Sequence, residues 1–186
     1  MRTLKLIMNL YYILLIPIFF MSDTTQLIFD FNLNSEISNW QTVDDVVMGG
    51  RSEGHFKINK EGFGEFYGRV SLENNGGFSS LRHRFSSLEV KAFKAIVLRV
   101  KGDGKKYQFR VKDKLSSSHS FIASFQTNGE WQTIKIILSE MYPAFRGRAL
   151  SIGTFASESI EEIAFLIGNK KAENFRLEID KIGLQH

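Results

Sequence analysis

The 186-residue chain is long enough to bury one continuous core and too short for two comfortable domains. Its 43% apolar fraction, with 17 phenylalanines against 24% charged residues, excludes a disordered chain, and the lack of cysteine excludes disulfides, thiolate metal sites and thiol catalysis. The formal charge of +4 becomes 22 basic against 20 acidic residues once Arg2 and Lys5 of the leading segment are set aside, a balance too even for nucleic acid to be an expected partner.

The chain opens with a leader over 1–22. Arg2 and Lys5 precede the apolar run Leu10 to Phe20, and a polar Ser22-Asp23-Thr24-Thr25 follows. Charge, then apolar, then polar is the order of a secretory signal or an amino-terminal membrane anchor, and the run is short for a full span. Phe20 and Met21 before Ser22 make a poor small-x-small cleavage site, which favours retention as a tether. Export or tethering is expected, with membrane contact through this segment. Translation from Met21 would instead give a cytoplasmic protein.

From Gln26 onward short runs alternate apolar and polar residues, each bounded by glycine, asparagine or charged turns. The pattern predicts strands over 27–31, 65–72, 78–85, 95–100, 107–112, 120–126, 131–138, 162–168 and 174–182. The expected hairpin turns are Asn74-Asn75-Gly76-Gly77 and Lys101-Gly102-Asp103-Gly104-Lys105, where glycine tolerates positive φ. The longest connection is 139–148, Pro143 ends any helical turn within it, and one further helical turn is expected over 157–161. Many strands without interleaved helices indicate a single all-β sandwich or barrel over 26–184.

Two segments are too irregular for plain strands. Trp40 to Ser52 contains Asp44, Asp45, Met48, Gly49 and Gly50, and the later run Asn75-Gly76-Gly77-Phe78-Ser79 leads into Arg82. Both read as loops whose backbone shape is specified. Asp44 and Asp45 would suit a hard cation such as calcium, yet they lack the D-x-D-x-D-G spacing, and capping of loop N–H groups that fixes the Met48-Gly49-Gly50 bend is the preferred role. The histidines His55, His83, His119 and His186 form no i, i+4 pair, so a zinc site is not expected. No cofactor is expected either, and calcium at Asp44 and Asp45 is the minor alternative to capping.

Gly50-Arg51-Ser52-Glu53-Gly54 formally matches G-x-S-x-G, and Asp103 and His119 follow in triad order. A nucleophile elbow needs a helix after the serine, whereas Phe56-Lys57-Ile58 alternates like a strand, so a hydrolase is not expected. Trp40, Met48, Phe78, Trp131 and Phe145 would form a sugar platform if exposed, with Asn75, Asp103 and Arg82 as hydrogen-bonding groups. The commoner fate of such aromatics is the core. If Leu81 and His83 point inward, Arg82 and Arg84 share the outer face and offer guanidinium donors to a carboxylate on a partner.

Trp40, the run Val43-Asp44-Asp45-Val46-Val47-Met48-Gly49-Gly50-Arg51-Ser52 with Gly54, Phe66-Tyr67-Gly68, Asn74 to Arg82, Arg99 to Tyr107, Trp131, Phe145-Arg146-Gly147-Arg148 and Ile182 together resemble the complex I intermediate-associated protein 30 family. The resemblance spans Leu27 to Ile182. It implies a galactose-binding-like jelly-roll β-sandwich and a non-catalytic role, since mitochondrial members look like assembly factors that hold partly built respiratory complex I at the membrane. The expected partner is therefore a protein, such as a membrane-bound respiratory complex intermediate, docked on the 44–52 loop, the 75–82 turn, Asp103 and Arg146. The alternative is a carbohydrate-binding module of the same fold, for which an exposed tryptophan on an open concave face would be the sign.

Overall fold

The structure, a computed structural model, describes residues 25–186; the leader and its targeting role lie outside the described residues. No helix among them is long and apolar enough to cross a membrane. Thirteen strands are described: β1 (Thr25–Asp30), β2 (Trp40–Asp44), β3 (Glu53–Ile58), β4 (Gly64–Val70), β5 (Ser79–Glu89), β6 (Ala95–Gly102), β7 (Lys106–Lys112), β8 (Ser120–Gln126), β9 (Trp131–Ile137), β10 (Tyr142–Phe145), β11 (Arg148–Ala149), β12 (Ser159–Ile167) and β13 (Glu173–Gln185).

They form two antiparallel sheets. One has six strands in the order β3-β4-β13-β6-β9, with β1 pairing the far half of the long β13. The other has seven, in the order β11-β10-β8-β7-β12-β5-β2. Alternation decides which side of each strand is buried. In β7, Tyr107, Phe109 and Val111 are almost fully buried while Gln108, Arg110 and Lys112 face outward; in β12, Ile163, Phe165 and Ile167 are buried. These side chains meet Phe66, Val70, Leu98, Val100, Leu177, Ile179 and Ile182 of the facing sheet, giving one apolar layer between two sheets, one of the two all-β forms expected from the strand pattern and the jelly roll implied by the family resemblance.

Several expectations are corrected. The turns at 74–77 and 101–105 are not hairpins: β4 and β6 belong to the six-stranded sheet, while β5 and β7 belong to the seven-stranded one, so each turn carries the chain across the sandwich. Their glycines permit a reversal, and a reversal serves a hairpin within one sheet and a crossing between two sheets equally well. Residues 157–161 enter β12 instead of forming a helical turn. Trp40 to Asp44 is an edge strand pairing with β5, and only Asp45–Met48 is a short 3-10 turn. The connection over 139–148 contains β10, which extends the seven-stranded sheet by pairing with β8, and the two-residue β11.

Candidate functional site: a loop clasp and an arginine-lined groove

Asp45 starts the 3-10 turn after β2 and is fully buried, although its partners lie far along the chain. Its Oδ1 accepts the Ser52 N–H at 3.0 Å, and its Oδ2 accepts the Ser52 hydroxyl at 2.5 Å, the Gly77 N–H at 2.5 Å and the Phe78 N–H at 3.1 Å. Burial pushes the carboxyl up, but the Ser52 hydroxyl and the N–H groups of Gly77, Ser52 and Phe78 outweigh it and hold the group below the usual carboxylate range. One carboxylate thus ties the 44–52 loop to the 75–78 turn.

The glycines are explained by this contact. A Cβ on Gly50 would sit 2.2 Å from Asp45 Oδ1, and one on Gly76 would sit 2.6 Å from Oδ2. The backbone must approach the carboxylate this closely for its N–H groups to reach it. Ser52 continues the link: its hydroxyl accepts the Ser71 N–H at 3.0 Å, beneath the start of the second loop. Asn74 donates from Nδ2 to the Gly49 carbonyl at 3.0 Å, and Arg51 pairs with Glu73 at 2.9 Å on the surface. Asp44 accepts the Gly54 N–H at 2.9 Å. Capping is therefore the role of both aspartates. Beyond the bend around Met48, which Asp45 closes only through its carbonyl to the Gly50 N–H, its carboxylate caps the distant turn.

Ser52 is 3% exposed, hydrogen-bonds Asp45 and Ser71, and is followed by β3, so the helix required by a nucleophile elbow is absent there. Among the described residues no group of three or more His, Asp or Glu is placed to hold a metal ion.

The 75–78 turn forms one wall of a groove of about 880 Å³ over the outer face of the seven-stranded sheet. Asn75, Gly76, Gly77, Phe78, Arg82 and Arg146, all expected site residues, line it together. The rest of the expected set is elsewhere. Trp40 is 6% exposed and packs among Phe29, Phe31, Phe56 and His83, its ring stacked on the imidazole at 4.6 Å. Trp131 lies on the six-stranded sheet against Phe63, under the Arg99 guanidinium. Asp103 caps the 101–105 crossing, accepting from the Tyr107 hydroxyl at 2.9 Å, Lys105 at 2.6 Å and the Arg176 N–H at 3.0 Å. Ser79 is fully buried, Gly49 ends the 3-10 turn, and the side chain of Met48 lies outside what the structure describes. The proposed aromatic platform is not assembled, because alternation sends its tryptophans to the core and to the opposite sheet. Only Phe78 and the 40% exposed Phe145 reach the groove.

Leu81 and His83 do point inward, so Arg82 and Arg84 share the outer face. Arg84, however, is bonded through Nε to Glu162 at 2.8 Å. The arginine that joins Arg82 in the groove is Arg110, which was not among the expected residues although the polar side of β7, Gln108-x-Arg110-x-Lys112, marks it. Burial and then the positive charge of Arg82 push the Arg110 guanidinium down to about 10.

The fold matches solved jelly-roll modules. The Family 11 carbohydrate-binding module of the cellulosomal cellulase Lic26A-Cel5E of Clostridium thermocellum is similar with a TM-score of 0.68 and 14% identity, covering 89% of this chain and 96% of that one. The Clostridium thermocellum Family 11 module in complex with a β-1,3-1,4-mixed-linked tetrasaccharide gives 0.66 and 17%, over 86% and 94%. The chain is thus a galactose-binding-like jelly-roll β-sandwich of the architecture used by carbohydrate-binding modules. At the level of sequence, a family profile described as Complex I intermediate-associated protein 30 matches residues 29–179, and the chain belongs to that family. It is also 24% identical over 185 residues to "Complex I intermediate-associated protein 30, mitochondrial" of Mus musculus, covering 87% of this chain and 56% of that protein. The chain spans little more than half the length of that relative.

Proposed function

We propose that the chain is a non-catalytic protein-binding module that holds an incompletely built membrane protein complex, as the name of its family suggests for complex I. The family match over 29–179 carries this reading. Two features of the molecule support it: loops locked into one shape by a buried carboxylate, and an open, charged groove beside them. A rigid edge of this kind loses little conformational entropy when a partner docks. In this reading the 1–22 segment exports or tethers the module, and a respiratory complex intermediate is the partner. Affinity purification of the tagged chain from native membranes, followed by mass spectrometry, tests it. Subunits or assembly partners of one membrane complex are the expected result, and recovery of the chain alone would count against it.

The structural likeness to carbohydrate-binding modules favours a second reading, in which the same groove takes a glycan. A rise in Tm on adding mixed-linked β-glucan or agaro-oligosaccharides would support it. The burial of Trp40 and the siting of Trp131 on the other sheet weigh toward the protein partner.

A further inference from the structure

Three cross-strand rows of the groove floor differ in one informative position. In one row Glu162 of β12 lies between Arg84 of β5 and Lys112 of β7. The carboxylate is 4% exposed and bonds Arg84, while Lys112 donates to the Leu115 and Ser117 carbonyls, so this row has an anion of its own and each of its cations has a partner within the protein. In the next outward-facing row Ala164 lies between Arg82 and Arg110. In the third, Leu166 pairs with Ser80 and Gln108.

The Ala164 row therefore carries two cations and no anion. Among the described residues the Arg110 guanidinium bonds only the neutral Gln108, through Nε at 3.0 Å and Nη2 at 2.6 Å, which fixes its plane. Arg82 is half-buried, and its side chain makes neither a hydrogen bond nor an ion pair among the described residues. Two strand spacings separate their Cβ atoms by about 10 Å, and Ala164 between them brings only a methyl, with no group that could answer either charge. Like charges facing each other across a sheet are unfavourable unless a counter-charge is supplied. Arg146 and Lys170 at the groove rim add further positive charge, and Phe78 and Phe145 add apolar surface.

We propose that the Arg82–Ala164–Arg110 row is the binding site for a carboxylate of an acidic segment of the partner protein, the ligand's carboxylate taking the place that Glu162 fills one row away. This rests on the protein-binding reading above and names the chemistry of that partner. Arginine forks match carboxylates in pairs of parallel hydrogen bonds, and partial burial strengthens each bond. The apolar side chains at the rim fit a segment in which acidic residues alternate with large apolar ones.

The test uses the full chain and a fluorescein-labelled hexaglutamate peptide, with hexaglutamine as the neutral probe, followed by fluorescence anisotropy. Saturable binding of hexaglutamate alone is expected. Arg82→Gln and Arg110→Gln should each weaken it about tenfold, while Lys135→Gln, an equal loss of charge on the opposite sheet, should change it less than twofold. Ala164→Glu supplies the missing carboxylate from within, so it should abolish binding while circular dichroism and Tm show a folded chain. Equal weakening by Lys135→Gln, or unaltered binding by Ala164→Glu, would overturn the proposal. Tight binding of oligogalacturonate without binding of hexaglutamate would also overturn it, in favour of an acidic glycan. If the purification from membranes succeeds and Ala164→Glu still captures the same partner, the site assignment fails while the protein-binding reading stands.

Discussion

The Asp45 clasp and the Arg82–Ala164–Arg110 row lie on the two sides of the same turn and treat charge in opposite ways. Asp45 is fully buried and accepts four hydrogen bonds, so its charge is answered entirely by the protein. The two arginines are half-buried, repel each other, and have no carboxylate partner among the described residues. A charge that the protein satisfies stabilises shape; one that it leaves unsatisfied is, in the site proposed above, open to a counter-charge from outside. The 75–78 turn connects the two, since Asp45 fixes the backbone of the residues that wall the groove.

The strongest way to break this contrast is to remove the clasp. Asp45→Ala orphans three N–H groups and a hydroxyl in a buried loop, and should cost about 2–4 kcal/mol, a Tm fall of roughly 5–15 °C. Hydrogen exchange at the Gly77 and Phe78 amides should accelerate before exchange in the core strands does. An unchanged Tm together with protected amides would show that the carboxylate is not what ties the loops. Gly50→Ala or Gly76→Ala, which push a Cβ into that carboxylate, should cost about 1–3 kcal/mol in urea denaturation.

The arginines separate the two behaviours on one strand. Arg84→Gln strands the buried Glu162 and should destabilise by about 1–2 kcal/mol, whereas Arg82→Gln relieves a repulsion and should leave stability within about 0.5 kcal/mol or raise it. Equal losses would contradict the distinction.

Acid gives a smaller, graded effect. Burial holds the His83 imidazole below its ordinary value of 6.5, opposed by a bond to the Asn39 backbone, and Asp45 is held below 3.8. Both folded-state values lie under the unfolded ones, so the unfolded chain takes up protons first and stability falls as pH falls. The His83 contribution is complete above its unfolded value and declines below about 6.5, while the Asp45 contribution declines below about 4. In Asp45→Asn the second decline should disappear from a Tm-against-pH curve while the first remains.

The strands were legible because alternation is local: Tyr107, Phe109 and Val111 against Gln108, Arg110 and Lys112 is a pattern that any register preserves. The sheet assignment was not, because a glycine turn such as 74–77 serves a hairpin and a crossing equally well. The edge strand β2 and the penultimate strand β10 escaped detection because they are short and only part-buried. Capping by Asp45 could be read from its residue type and loop context. Its partners Gly77 and Phe78, 32 and 33 residues away, could not. Arg110 was missed for a related reason: its significance depends on lying across Ala164 from Arg82, a relation that exists only once β5, β12 and β7 are in register.

The central claim is that this module works by presenting the groove face of its seven-stranded sheet to a protein partner. Replacing Phe145 at the groove with photoreactive p-benzoylphenylalanine, and separately Thr133 on the exposed face of the six-stranded sheet, then irradiating intact native membranes, tests it most directly. Adducts with a component of one membrane complex from position 145 and none from position 133 are predicted. Adducts from 133 alone, or equal unselective labelling from both, would contradict it.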